Sequence, residues 1–365
     1  AEIDAWRDKA WAGLSSSRYD AARVAWRGRK PDGSAAQPGA TEARFSEKAL
    51  AAYLAESLVR GSYAEALDRM RPAKERYPSE LGYLSAPYFG GLVRKMESFE
   101  AADLVEAKRL SQLAQEKSPE AFVKEDLAAF LFDRAPGSLA QELERLAATL
   151  DPQKLTMRQA VGLLGCVAES RSYLKDEENP FRALGAVADR VAASARDSSS
   201  GLFLATEDDG STDLRLSLLA GKYLAAYGTA EGKGNLAGIG QGLVEGFLGL
   251  SDDEGIAPSR LVARDGSVDQ KSGSILPEDV YALLAGNPYY PREVSFYRDI
   301  APGVWAWTCA PALTVSGTGS RYAFTATFPE GRSHYLVFYG IKPFSNIQLY
   351  DIDYSPDSEF EIYDA

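Results

Sequence analysis

The chain has 365 residues, 45% hydrophobic and 25% charged, and a formal net charge of -12; its length predicts one large domain plus a smaller one. An acidic chain without a basic cluster speaks against nucleic acid as a partner. No apolar run approaches the roughly 20 residues that span a bilayer, so the chain is not expected to be an integral membrane protein.

The sequence opens Ala1-Glu2-Ile3 without an initiator Met. That suits an exported protein whose leader has been removed, and equally a trimmed chain; a periplasmic or secreted location is the expectation. Up to about residue 286 the pattern is helical, with segments predicted near 2–14, 43–60, 63–77, 87–98, 100–116, 119–133, 137–150 and 157–174. Lys30 to Thr41, with Pro31, Gly33, Pro38 and Gly39, is poor in apolar residues and predicts an exposed loop. Tyr63-Ala64-Glu65-Ala66-Leu67 followed by Pro78 matches part of a tetratricopeptide repeat, but no recurrence of that period supports it.

Leu184, Val187, Ala188, Val191 and Ala195 fall on one helical face and predict an amphipathic outer helix. Leu214, Leu216, Leu218, Leu219, Tyr223, Leu224 and Tyr227 surround theirs on nearly all sides, as a helix buried among several others would. Leu236 to Leu250 is amphipathic again, and its glycines at 238, 240, 242, 246 and 249 predict close backbone approach. These glycines do not follow a strand, so they are no dinucleotide fingerprint. About a dozen helices in antiparallel hairpins can close into a ring or stack as an open solenoid. The connection 228–235 is short, whereas 198–212 and 251–275 are long and predicted to share one face, where binding chemistry usually sits.

Beyond about residue 303 the character changes to aromatic and β-branched runs. Strands are predicted at Trp305–Trp307, Tyr322–Phe328, Tyr335–Tyr339, Ile347–Tyr350 and Phe360–Tyr363, enough for an antiparallel sheet or sandwich. The fold expectation is therefore mainly α, with a helical-hairpin domain over 1–290 followed by a β-rich domain over 291–365. Cys166 and Cys309 are the only cysteines; they read as two buried small residues, or as one bridge in an oxidising compartment.

Two acidic turns carry the functional reading. Thr206 to Asp213 packs four carboxylates between two helices, and Asp252-Asp253-Glu254-Gly255 occupies the equivalent place in the next hairpin. The first turn supports three readings. Ser211 or Thr212 could cap the following helix. Glu207, Asp208, Asp209 and Asp213 could hold a cation, although the spacing is not that of an EF-hand. A carboxylate could act on a sugar with a partner from Asp252, Asp253, Glu254 or Asp269. His334, the only histidine, lies in a predicted strand, which leaves no Ser-His-Asp triad and no histidine-rich zinc site; neither metal nor cofactor is predicted. Tyr88, Tyr289, Tyr290, Trp305 and Trp307 are candidate sugar platforms or simply fill the junction between the two parts. Arg260, on the second long loop, is a further candidate substrate contact.

Paired helices with acidic loops at one end, followed by a β-rich part, resemble the (α/α) toroid proteins of carbohydrate metabolism over residues 40–365. The resemblance implies a carboxylate pair at the barrel mouth, Asp208 or Asp209 with Asp253 or Glu254, as in toroid glycoside hydrolases, acting on a polysaccharide or oligosaccharide. Toroid polysaccharide lyases use Asn, His, Tyr and Arg together, and the helical part here has no His. The alternative of a different class is a non-catalytic scaffold that binds a glycan or protein at the same end.

Overall fold

The computed structural model describes residues 1–28, 42–175, 178–264, 266–319, 321–341, 347–349 and 352–354, with the side chains of 263, 264, 269, 347–349 and 352–354 left aside. The predicted loop Lys30–Thr41 and strand Phe360–Tyr363 lie outside the described residues.

The chain is mainly helical and ends in antiparallel β-structure. Local chemistry sets the helix ends. Ser46 accepts the Ala49 amide to start Glu47–Val59, and Thr156 and Gln159 form a reciprocal capping box at the head of Met157–Glu169. Where nothing breaks the pattern, segments fuse: 87–98 and 100–116 are largely one helix, Leu92–Gln115. Where Pro72 interrupts it, 63–77 splits into Tyr63–Met70 and Ala73–Arg76. The stretch 119–133 is a 3-10 turn, one short α-helical turn and a π-helix, Phe130–Arg134.

The best-packed hairpin joins Leu214–Ala230 to Gly234–Gly249. A Cβ on Gly240 would lie 2.4 Å from the Ala225 nitrogen, and one on Gly228 2.4 Å from that of Ala237. Only a missing side chain lets the two backbones approach this closely. Gly246 makes the same allowance for the Leu202 carbonyl, 2.3 Å from where its Cβ would stand.

Both long connections contain strands. Ala195–Ser198 pairs with Gly201–Leu204, and Thr212–Asp213, Arg260–Arg264 and Ser267–Ser272 form a three-stranded sheet. In the C-terminal part Arg292–Ser295, Trp305–Thr308 and Val337–Tyr339 form a second three-stranded sheet with Trp305–Thr308 in the centre. Ala312–Thr318 pairs with Arg321–Thr327, and Ile347–Leu349 with Ile352–Tyr354.

The helical part has two large hydrophobic cores. Trp6, Leu14, Trp26, the Glu47–Val59 helix, Phe247 and Tyr281 build one; Phe122, Phe130, the Met157–Glu169 helix, Phe181 and Val187 build the other. The Leu214–Ala230 helix belongs to both, through Leu214 and Leu218 on one side and Leu219, Leu224 and Tyr227 on the other. This is the helix expected to be buried all round. Cys166 and Cys309 are both buried free thiols. Among the described residues, no helix is long and apolar enough to cross a membrane.

Candidate functional site

The two long connections meet at a cleft of about 520 Å³ beside the doubly buried helix. Its apolar floor is Val161, Leu216, Leu219 and Ile275, with Tyr223 along one side. Four cationic groups (Lys124, Arg158, Arg215, Arg260) and three carboxylates (Glu125, Glu207, Asp213) line its walls.

Each wall group has a structural reason for its place. Asp213 ends the short strand Thr212–Asp213 and is itself the helix N-cap, its Oδ1 accepting the Leu216 amide at 3.0 Å. Capping by Ser211 or Thr212 is thereby corrected. Thr212 is held in strand pairing with Leu261, and its hydroxyl donates to the Leu204 carbonyl at 2.9 Å. The Ser211 hydroxyl accepts from Arg260 at 2.8 Å. The second Asp213 oxygen faces Arg158 at 3.5 Å, and Arg215 grips Glu125 with both arms of its guanidinium. That hydrogen-bonded pairing raises the Arg215 pKa. Burial, reinforced by Arg134, lowers that of Lys124. Glu207 makes no ion pair with a described residue, so it is the cleft carboxylate without a cation of its own.

The floor is shaped by two missing side chains. A Cβ on Gly162 would stand 1.9 Å from the Phe122 carbonyl oxygen, and one on Gly165 2.6 Å from the Tyr223 ring. Tyr223 is pushed above its ordinary range, first by burial and then by Glu169. The Glu169 carboxyl is raised to about 7, mainly by burial and secondly by Asp126, with Lys222 opposing.

Of the residues singled out from the sequence, Arg260 lines the cleft. Asp208 and Asp209 do not; they stand exposed at the tip of the turn beside Gly210, which has a φ of +80°. Hydrogen bonds from Ser211 hold the Asp209 carboxylate below its usual range. Asp253 and Glu254 lie in a turn docked on the N-terminal helix. There the Trp6 indole donates to the Gly255 carbonyl at 3.1 Å and the Ser17 hydroxyl to Glu254 at 2.5 Å. Asp252 closes that turn by accepting the Glu254 and Ile256 amides at 2.8 and 3.0 Å. The side chain of Asp269 lies outside the described residues.

The candidate aromatics form the junction between the helical and β parts rather than the cleft. Tyr88 is buried and donates to the Tyr289 carbonyl at 2.6 Å, and Tyr290 packs on Tyr281. Trp305 stacks on Tyr339 at 4.9 Å, and the Trp307 indole donates to the Tyr83 carbonyl at 2.9 Å. His334 stacks on Phe328 at 4.3 Å, and burial lowers its pKa. Among the described residues no group of three or more His, Cys, Asp or Glu side chains could hold a metal ion.

Glu125, Arg158 and Arg215 were not singled out from the sequence, and Tyr223 only as a packing residue of the buried helix. Gly162 and Gly165 were the available signal: glycines inside a strong helical pattern mark close approach by something else. No protein-family model, curated protein or solved structure matches the chain.

Proposed function

We propose that this protein is carbohydrate-active and takes an oligosaccharide or polysaccharide segment in the cleft between the two long connections. The cleft itself carries the reading: an apolar floor flanked by guanidinium and carboxylate groups. A sugar ring needs both, since its C–H face is apolar and its hydroxyls donate and accept in the ring plane. The volume falls in the range of small-molecule sites. The reaction we propose is glycoside hydrolysis by a carboxylate pair, with Glu207 as one member and Glu125 or Asp213 as the other.

Two features support the wider frame. Both long connections border one cleft, as they would at the mouth of an (α/α) toroid, which is the arrangement we propose for the helical hairpins. A glycan ligand fits a periplasmic or secreted protein, a location that cell fractionation would test. One observation favours a second, non-catalytic reading: Glu125 and Asp213 are already engaged by Arg215 and Arg158. A glycan-binding protein would need those groups only as hydrogen-bonding partners.

A polysaccharide and oligosaccharide screen with product detection separates the readings. Hydrolysis predicts reducing ends from a responsive glycan and their loss in Glu207→Gln, with turnover kept in Asp208→Asn and Glu254→Gln, whose side chains lie outside the cleft. Saturable binding without product supports the binding protein. Neither binding nor product across the screen removes the carbohydrate reading.

A further inference from the structure

We propose that Asp133 and Glu293 hold one proton between them, and that this shared proton latches the C-terminal sheet onto the helical part. Neither residue lines the cleft, and the pair is built from two different elements. Asp133 projects from the π-helix Phe130–Arg134, a wide turn of the kind that often re-aims a side chain. Glu293 comes from Arg292–Ser295, an outer strand of the three-stranded C-terminal sheet.

The hydrogen-bond inventory is what demands the proton. Asp133 Oδ1 accepts from the Ser295 hydroxyl at 2.8 Å, and Glu293 Oε2 lies 3.4 Å from Arg134 Nε. The other oxygens, Asp133 Oδ2 and Glu293 Oε1, are both buried without a donor, although the two carboxyl groups are within hydrogen-bonding reach of each other. Two ionised carboxylates there would leave both oxygens unsatisfied and repelling. One proton gives one of them a donor and the other an acceptor role.

The surrounding charges do not supply a substitute. Arg134 is the nearest cation, and it also faces Asp103 on the Leu92–Gln115 helix at 3.9 Å; Asp126 adds a further negative charge to the site. Lys124 acts on Asp103 rather than on the pair. Tyr173 lies beside Asp133, stacks on Phe132 at 5.1 Å and meets Tyr297 edge-on at 5.9 Å. Burial accordingly pushes both carboxyl groups up, Glu293 to about 8. Above that pH the pair carries two charges against one guanidinium, and the π-helix and the strand repel.

Infrared spectroscopy of the intact protein together with hydrogen exchange tests the latch. In a Glu169→Gln background, which removes the other carboxyl raised to about 7, the protein should show a protonated carboxyl band at neutral pH, absent once Glu293→Gln or Asp133→Asn is added, that disappears as the pH passes about 8. Over the same rise, amides of 292–295 and 305–308 should lose protection, after correction for intrinsic exchange, in the parent but not in Glu293→Gln. The amide of that variant can donate where the proton did. Absence of the band at neutral pH overturns the proposal, as does strand protection in the parent that ignores pH. Should both variants fail to fold, the band that remains in Glu169→Gln and its loss past about pH 8 still decide.

Discussion

A carboxylate inside an alanine-rich helix needs donors, and Glu56 has three. It is fully buried, and Arg7, Arg60 and the Tyr281 hydroxyl reach it at 2.7, 3.3 and 2.5 Å, with Asn287 donating in turn to that hydroxyl. Removing the acid strands Arg7 in a largely buried site. Glu56→Ala should therefore cost about 3–5 kcal/mol and Tyr281→Phe about 1–3 kcal/mol, read as shifts of the denaturant midpoint. At this scale the sequence was informative about type and poor about place. The acidic turn 206–213 borders a site, yet it is Glu207 and Asp213 that line the cleft, while Asp208 and Asp209 occupy the exposed tip. Backbone hydrogen bonds from the Thr206 and Glu207 amides to the Ser211 carbonyl shape that turn, and no residue pattern encodes it.

Among elements, the glycine-rich hairpin makes the sharpest distinction. A Cβ on Gly240 would lie 2.4 Å from the Ala225 nitrogen, whereas one on Gly238 in the same helix would meet nothing within 4 Å. Gly240→Ala should destabilise by about 1–3 kcal/mol through overpacking. Gly238→Ala should stabilise by about 0.5–1 kcal/mol through helix propensity alone. Thermal melts of the two variants should move in opposite directions. Long helices with a clear 3.6-residue pattern were legible in the sequence, as was the need for close approach in this hairpin. The π-helix at Phe130–Arg134 and the two-residue strand Thr212–Asp213 were not, since elements so short are set by their neighbours. The paired strand Gly201–Leu204 was hidden similarly: Leu202, Phe203 and Leu204 form a continuous apolar run without alternation.

For the whole molecule, contacts remote in sequence fix the arrangement, as when Trp6 reaches the Gly255 carbonyl 249 residues away. Such contacts moved the second acidic turn onto the N-terminal helix, where residue spacing alone had suggested a partner for the first. Electrostatics at this scale has a sign. Glu169 and Glu293 bind their protons more tightly folded than unfolded, with values raised to about 7 and about 8. Their contribution to stability is complete below the ordinary glutamate value and is lost as the pH rises through those raised values. The melting temperature should accordingly fall from about pH 5 to about pH 9, and less steeply in Glu169→Gln and Glu293→Gln.

The central claim is that the cleft beside the Leu214–Ala230 helix is a carbohydrate site. The most direct measurement is the affinity of a responsive oligosaccharide for the parent, for Arg260→Ala with Glu207→Gln, and for Asp208→Asn with Asp253→Asn as an exposed control. The account predicts that the cleft pair weakens binding at least about tenfold, the loss of roughly 1.4 kcal/mol, at an unchanged melting temperature, while the control pair binds as the parent does. Undiminished binding in the cleft pair, or equal loss in the control pair, would contradict it.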